Sequence, residues 1–204
     1  MRKITIFLNF AVLFILISGN FACTGALDAL NNLQRLKFKL GSVQNFRIAN
    51  VNISGIENPS SLNIIDAANL IAAFTSGRLP ADFTLNLIAK NPNTASGNTN
   101  STATMTTMSW RLLIDNTETV NGNISQPITI PGAGQETTIP MDISVDLVQF
   151  FRTVGYDAIL NLAFGIGGRN GSARNLQLRI KPEISTFLGP MSIGEITVVD
   201  TEWR

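Results

Sequence analysis

From Asp82 to Lys90 the chain alternates: Phe83, Leu85, Leu87 and Ala89 take every second place, and Thr84, Asn86 and Lys90 stand among the places between. A period of two sends the apolar set to one face of a β-strand and the polar set to the other. Such a strand cannot stand alone, because its apolar face needs sheet neighbours and a second layer to cover it. The pattern recurs in Leu36, Phe38 and Leu40, in Phe46 and Ile48, and in Met108, Trp110, Leu112 and Ile114. It returns in Ile139, Met141, Ile143 and Val145, and again in Leu176, Leu178 and Ile180. Turn signals separate these runs: Asn58-Pro59, Asn91-Pro92-Asn93, Asp115-Asn116, Pro131-Gly132-Ala133-Gly134 and Gly189-Pro190. Many short strands between turns predict a mainly β fold, an antiparallel β-sandwich.

The period changes in two places. Ile64, Ala67, Ala68, Ile71 and Phe74 recur at three and four, which predicts a short helix over 64–75, with Asn63 as its N-cap and Gly77 and Pro80 as stops. Residues 145–164 repeat the helical spacing, with Gly155 dividing the run. The sandwich is therefore expected to carry two or three short helices. Residues 28–36 read either as a turn or two of helix or as a tether. Residues 94–104, rich in Asn, Ser, Thr and Gly, read as an exposed hairpin loop that returns 105–114 as the partner of the 82–90 strand.

The first residues read as an address. Arg2 and Lys3 precede Ile4 to Ser18, which only Thr5 and Asn9 interrupt with strongly polar or hydroxyl groups before Ser18, and Phe21, Ala22 and Cys23 follow. A charged start, an apolar run and a small residue before the cut are the layout of a secretory signal. Cys23 is the only cysteine, and its place after the run is similar to the lipobox of bacterial lipoproteins, in which the cysteine is acylated and becomes the mature N-terminus. Asn20 and Phe21 depart from the usual residues there. The other readings are a plain secretory signal with a cysteine nearby and an uncleaved anchor helix, although the apolar run is shorter than the roughly 20 residues a span needs. The expected organisation is a signal peptide over 1–22, a lipidated tether over 23–35 and one sandwich domain over 36–204. Thr24, Gly25 and Ala26 hold neither an Asp at the second place after the cysteine nor an acidic cluster. That resembles lipoproteins carried to the outer membrane and facing the periplasm. Acyl chains on Cys23 would supply the membrane partner.

Composition narrows the chemistry. Fifteen Lys and Arg against fourteen Asp and Glu are too evenly matched to neutralise a row of phosphates, so no nucleic-acid partner is expected. Histidine is absent, which removes Ser-His-Asp and Cys-His centres and imidazole metal ligands. One cysteine makes neither an internal disulfide nor a multi-cysteine zinc site. Asp142 with Asp146, and Glu183 with Glu195, could pair as acid and base or bind calcium, but they lack the dense Asp/Asn/Gly spacing of a calcium loop and read as face or turn residues. Gly165-Ile166-Gly167-Gly168 follows a helical pattern and lacks the Lys-Ser/Thr ending of a phosphate loop, so it reads as a helix end. No catalytic residue, metal or cofactor is assigned.

Three stretches, taken in order, resemble one family. The alternating strand that runs into Asn91-Pro92-Asn93 is the first. Trp110-Arg111-Leu112-Leu113-Ile114-Asp115, with Val120 and Gly122, is the second, and Ile130-Pro131-Gly132-Ala133-Gly134 followed by Thr137 to Ile143 is the third. Together they are similar to the late embryogenesis abundant type 2 family, also called the water-stress and hypersensitive-response (WHy) domain. The likeness runs from about 36 to 200. It implies an immunoglobulin/fibronectin-like antiparallel β-sandwich, no catalytic site, and an association with dehydration and stress. The physics of Asn91-Pro92-Asn93 points to a structural turn. Pro92 has no N–H and ends ladder pairing, Asn91 is biased to extended geometry, and Asn93 can bond neighbouring backbone.

Two functional classes follow from these readings. In the first, the chain is a non-catalytic envelope lipoprotein, a structural or interaction module whose partner is an envelope protein. In the second it binds or carries a lipid or another apolar ligand, with Ile71, Phe74, Phe151 and Phe164 lining a groove beside the helices. A hydrolase would need clustered, buried carboxylates.

Overall fold

Asp82–Lys90 is the middle of a twelve-residue strand, Pro80–Asn91, in a computed structural model that describes residues 20–94, 102–169, 171–186, 189–200 and 202–204. Ahead of it come α1 (Asn20–Gln34), β1 (Lys37–Ile48), β2 (Val51–Asn52) and α2 (Ile64–Thr75), which makes Pro80–Asn91 β3. After it come β4 (Ala103–Met105), β5 (Thr107–Ile114), β6 (Thr117–Ile124), β7 (Ile128–Ile130) and β8 (Gln135–Asp146). The chain continues through α3 (Leu147–Phe151), α4 (Tyr156–Gly167), β9 (Leu176–Thr186), β10 (Gly189–Ser192) and β11 (Ile196–Val198).

One sheet has the order β2-β1-β3-β8, and the other runs β10-β9-β5-β6 with β11 also on β9. The strands β4 and β7 form a separate pair. Every pairing is antiparallel. The two larger sheets enclose one core, a β-sandwich. Phe38, Leu40, Ile48, Leu85 and Leu87 fill it from one side, and Met108, Leu112, Ile114, Leu178 and Ile180 from the other. The segment after β11 crosses back to the first sheet, where Phe38 and Arg204 exchange both backbone hydrogen bonds, at 2.7 and 3.0 Å.

The alternation predicts the faces correctly. Phe83, Leu85, Leu87 and Ala89 are buried, as are Ile139, Met141, Ile143 and Val145 opposite them. In β1, register shifts fall between Leu40 and Val43 and between Gln44 and Arg47. Each bulge flips the inward set, and two of them restore it, which is why Phe38, Leu40, Phe46 and Ile48 all face the core. The predicted ends of α2 are also in place. Asn63 accepts from the Asp66 N–H at 2.8 Å, and Gly77, at φ 81°, closes a Schellman turn in which the Arg78 N–H reaches the Ala73 carbonyl.

Three expectations need correction. Residues 107–114 do not pair with β3, whose two edges are taken by β1 and β8, but join β6 and β9 in the opposite sheet. A period of two tells which way a side chain points, not which strand lies alongside. Of the expected 94–104 loop, 95–101 lie outside the described residues, and Ala103–Met105 pairs with Ile128–Ile130. Four α-helices are described rather than two or three, because residues 20–34, which span the expected signal end and part of the stretch read as a turn or two of helix or a tether, form α1. The last turns of α1 belong to the body, since Leu33 is fully buried and Leu36 nearly so. Residues 1–19, which hold most of the expected signal peptide, lie outside the described residues.

Candidate functional site

The pole where α1 meets the sandwich is built on the Asn91-Pro92-Asn93 turn. Asn91 and Asn93 are the buried polar side chains among the described residues, at 0% and 4% exposure. A buried amide must find partners for its donors and acceptors. Asn91 Nδ2 donates to the Ile130 carbonyl at 2.9 Å, and Asn91 Oδ1 accepts from the Asn93 N–H at 3.0 Å and from Asn93 Nδ2 at 2.7 Å. Asn93 Nδ2 also reaches the Asn32 carbonyl in α1, at 3.0 Å. The Ala133 and Gly134 N–H groups donate to the Asn93 and Asn91 carbonyls. One turn thus ties together β3, β7, the 131–134 loop and α1, while Asn93 Oδ1 itself has no partner. Pro92 is exposed between the two amides. Cys23 lies in the first turn of the same α1.

Gly122 is required by close approach. A Cβ there would lie 2.4 Å from Trp110 Cζ2 and 2.7 Å from Cε2. Trp110 stands opposite Gly122 in register and is half-buried, less enclosed than a core anchor. Gly122→Ala is expected to cost about 1–2 kcal/mol, because β6 is an edge strand and the indole can swing outward. Urea unfolding measures the loss, and a Trp110→Phe background should remove most of it.

The four residues assigned to a groove do not share one surface. Phe151 and Phe164 are buried in the core, at 6% and 4% exposure. Phe74 is half-buried and packs against Tyr156, with ring centroids 5.2 Å apart, whereas Ile71 is 52% exposed. Burial, with the charge of Asp157 adding to it, pushes the Tyr156 phenol above its ordinary pKa.

The carboxylates are spread across separate structural tasks. Asp142 accepts from Thr84 Oγ1 at 2.9 Å. Asp146 caps α3 through the Val148 N–H and also accepts from the Leu79 N–H at 2.9 Å. Glu183 accepts from Thr107, and Glu195 pairs with Arg111. The Glu195 hydrogen bond and the nearby charge of Glu118 hold the Arg111 guanidinium above its ordinary pKa. Among the described residues there is no group of three or more His, Cys, Asp or Glu placed to hold a metal ion. Gly165 to Gly168 end α4, with the Gly168 N–H on the Phe164 carbonyl. No helix among the described residues is long and apolar enough to cross a membrane.

Sequence reasoning missed a shallow groove of about 390 Å³ on the outer face of the first sheet, lined by Asn45, Arg47, Asp82, Thr84, Asp142 and Ser144. Its lining comes from four strands, Asn52 of β2 included, and the polar positions read simply as solvated faces. Asn32 was missed as well, because its role depends on a partner sixty-one residues away.

No family model and no curated protein matches the sequence. Among solved structures, the solution structure of a "putative late embryogenesis abundant (LEA) protein" is 16% identical with a TM-score of 0.35, over 94% of this chain and 88% of that one. The crystal structure of a protein from Archaeoglobus fulgidus is 13% identical with a TM-score of 0.32, over 60% of this chain and 82% of that one.

Proposed function

We propose that this chain is a lipid-anchored protein of a bacterial envelope, held at the outer membrane and facing the periplasm, whose sandwich is a non-catalytic interaction module of the late embryogenesis abundant type 2 kind. The observation that carries the reading is the placement of Cys23. It follows an apolar run that opens on Arg2 and Lys3, and it lies in the first turn of a helix whose far end is fixed to the sandwich by Leu33 and by the Asn32–Asn93 bond. An acyl group there would hold the body close to the membrane by one defined pole. Several acyl chains, at roughly 0.8 kcal/mol per buried methylene, are enough for stable attachment.

Asp142, Asp146, Glu183 and Glu195 each bond a neighbouring strand, helix or side chain, which supports a module without acid–base chemistry. Phe151 and Phe164 are committed to the core, which supports an interaction module over a lipid carrier. The association with envelope or desiccation stress comes with the family resemblance and belongs to this reading. The test is Cys23→Ser in cells fed a labelled fatty acid. The unsubstituted chain should take up label and sediment with membranes, and the variant should be unlabelled and soluble after lysis. A variant that stays in the membrane fraction would show that another segment holds it there.

A further inference from the structure

The outer face of the first sheet is electrically lopsided. On β3 the outward places run from Asp82 at one end to Lys90 at the other, roughly 26 Å apart. Asp142 of β8 lies at the Asp82 end, and Lys37 and Lys39 of β1 lie at the Lys90 end. Arg35 stands just ahead of β1 and is exposed, as Lys37 is. The chain's totals, fifteen basic residues against fourteen acidic, hide this layout. Lys37 is directly opposite Lys90 in register, and like charges facing each other across a ladder repel.

Nearby acids answer only part of this charge. Lys90 pairs with Glu136 at 3.4 Å, and its Nζ lies 5.4 Å from the ring centroid of the half-buried Trp203. Glu202 is paired with Arg204. Asp200 lies in the segment beside β1, and Asp28 is the one acid of α1. Arg35, Lys37 and Lys39 make no ion pair among the described residues. The three are spread along a strand start rather than gathered round a hollow, which suits an extended negative surface better than one small anion.

This is also the end at which α1 enters the sandwich. Twelve helical rises of about 1.5 Å separate Cys23 from Arg35, so a body tethered at Cys23 has its basic end within roughly 18 Å of a bilayer. Leu27, four residues after Cys23, is 55% exposed. A tethered body is already at high local concentration, so attraction need only tilt it, and a few charges suffice. We infer that the Arg35–Lys37–Lys39 end of the first sheet docks on anionic phospholipid headgroups, an inference that rests on the lipid-anchored reading above. The three free cations face the lipid phosphates, and Trp203 sits at headgroup level, where indoles are favoured. Asp82 and Asp142 keep the far end of the same face off the negative surface. Each basic residue near such a surface is worth about fivefold in binding.

The test uses the full acylated chain with Trp110→Phe, which leaves Trp203 as the single tryptophan. It is reconstituted into vesicles of brominated phosphatidylcholine, with or without phosphatidylglycerol, and the mass of the Cys23 peptide reports acylation. Bromine should quench Trp203 strongly only in the phosphatidylglycerol vesicles, and high salt should reverse the quenching. Lys37→Glu with Lys39→Glu should shift the docked-to-undocked ratio by about 25-fold or more while the chain still sediments with the vesicles. Arg47→Glu with Arg78→Glu, the same change of charge at the far end, should leave the quenching in place. Quenching of an acylated, vesicle-bound chain that is equal in the two lipids, or that survives Lys37→Glu with Lys39→Glu, overturns the inference and leaves the anchor standing. A chain without an acyl group on Cys23 removes the anchor reading, and the inference falls with it.

Discussion

Gly167→Ala should destabilise the protein by about 3 kcal/mol or more, although alanine is the better helix former. The Cβ it adds would lie 2.0 Å from Phe46 Cγ, 2.2 Å from Cδ2 and 2.4 Å from Cβ. Phe46 cannot step back. It is 1% exposed and stacked on Phe83, with centroids 4.8 Å apart and ring planes at 4°. The helix end cannot lift away either, because the Gly168 N–H is on the Phe164 carbonyl, the Arg169 N–H on the Ile56 carbonyl and the Ser172 N–H on the Gly165 carbonyl. Something in a packed interior must move, and α4 sits directly on β1 at this point. Denaturant unfolding gives the loss, and a cycle with Phe46→Leu separates causes. Phe46→Leu alone should destabilise by leaving space, while the double variant should be more stable than the two losses added together, with a coupling of about 1–3 kcal/mol. A Gly167→Ala protein as stable as the parent would mean that α4 and β1 are farther apart than described.

Asn91→Ala should cost about 2–4 kcal/mol through the opposite mechanism, too few partners rather than too many atoms. It deletes the donor to the Ile130 carbonyl and the acceptor for the Asn93 N–H and side-chain amide, all at a fully buried side chain. Asn93→Ala should be milder, about 1 kcal/mol, because one of the atoms it removes, Oδ1, already lacks a partner. Its mark should be local: loss of the bond to the Asn32 carbonyl should speed amide exchange in residues 28–34 without a comparable change in β3. If Asn93→Ala proves the costlier of the two, the assignment of Asn91 as the hub is wrong.

These two residues show where the sequence stops being legible. Asn91-Pro92-Asn93 announces a turn by its residue types, yet nothing local says that its amides are buried, because their partners at Ile130 and Asn32 lie thirty-nine and sixty-one residues away. Gly167 reads as a helix end, which it is, but the ring pressed against it belongs to β1. Local signals did better where the physics is local: the Asn63 cap, the Gly77 turn and the faces of β3 and β8 all follow from neighbouring residues. The β1–β2 hairpin is the instructive miss. Its two-residue turn puts Ala49 at φ 44° and Asn50 at φ 69°, a left-handed pair in which Asn50 gives a signal and Ala49 gives none. The companion turn at Asp115-Asn116, with φ 48° and 63°, was readable because both residues tolerate that conformation.

The backbone bonds between Phe38 and Arg204 also set the order in which the body can be finished. The outer edge of β1 at Phe38 is paired with a segment more than 160 residues later in the chain, so this ladder is completed only after the rest of the described chain has been made. Pairings this remote in sequence form slowly.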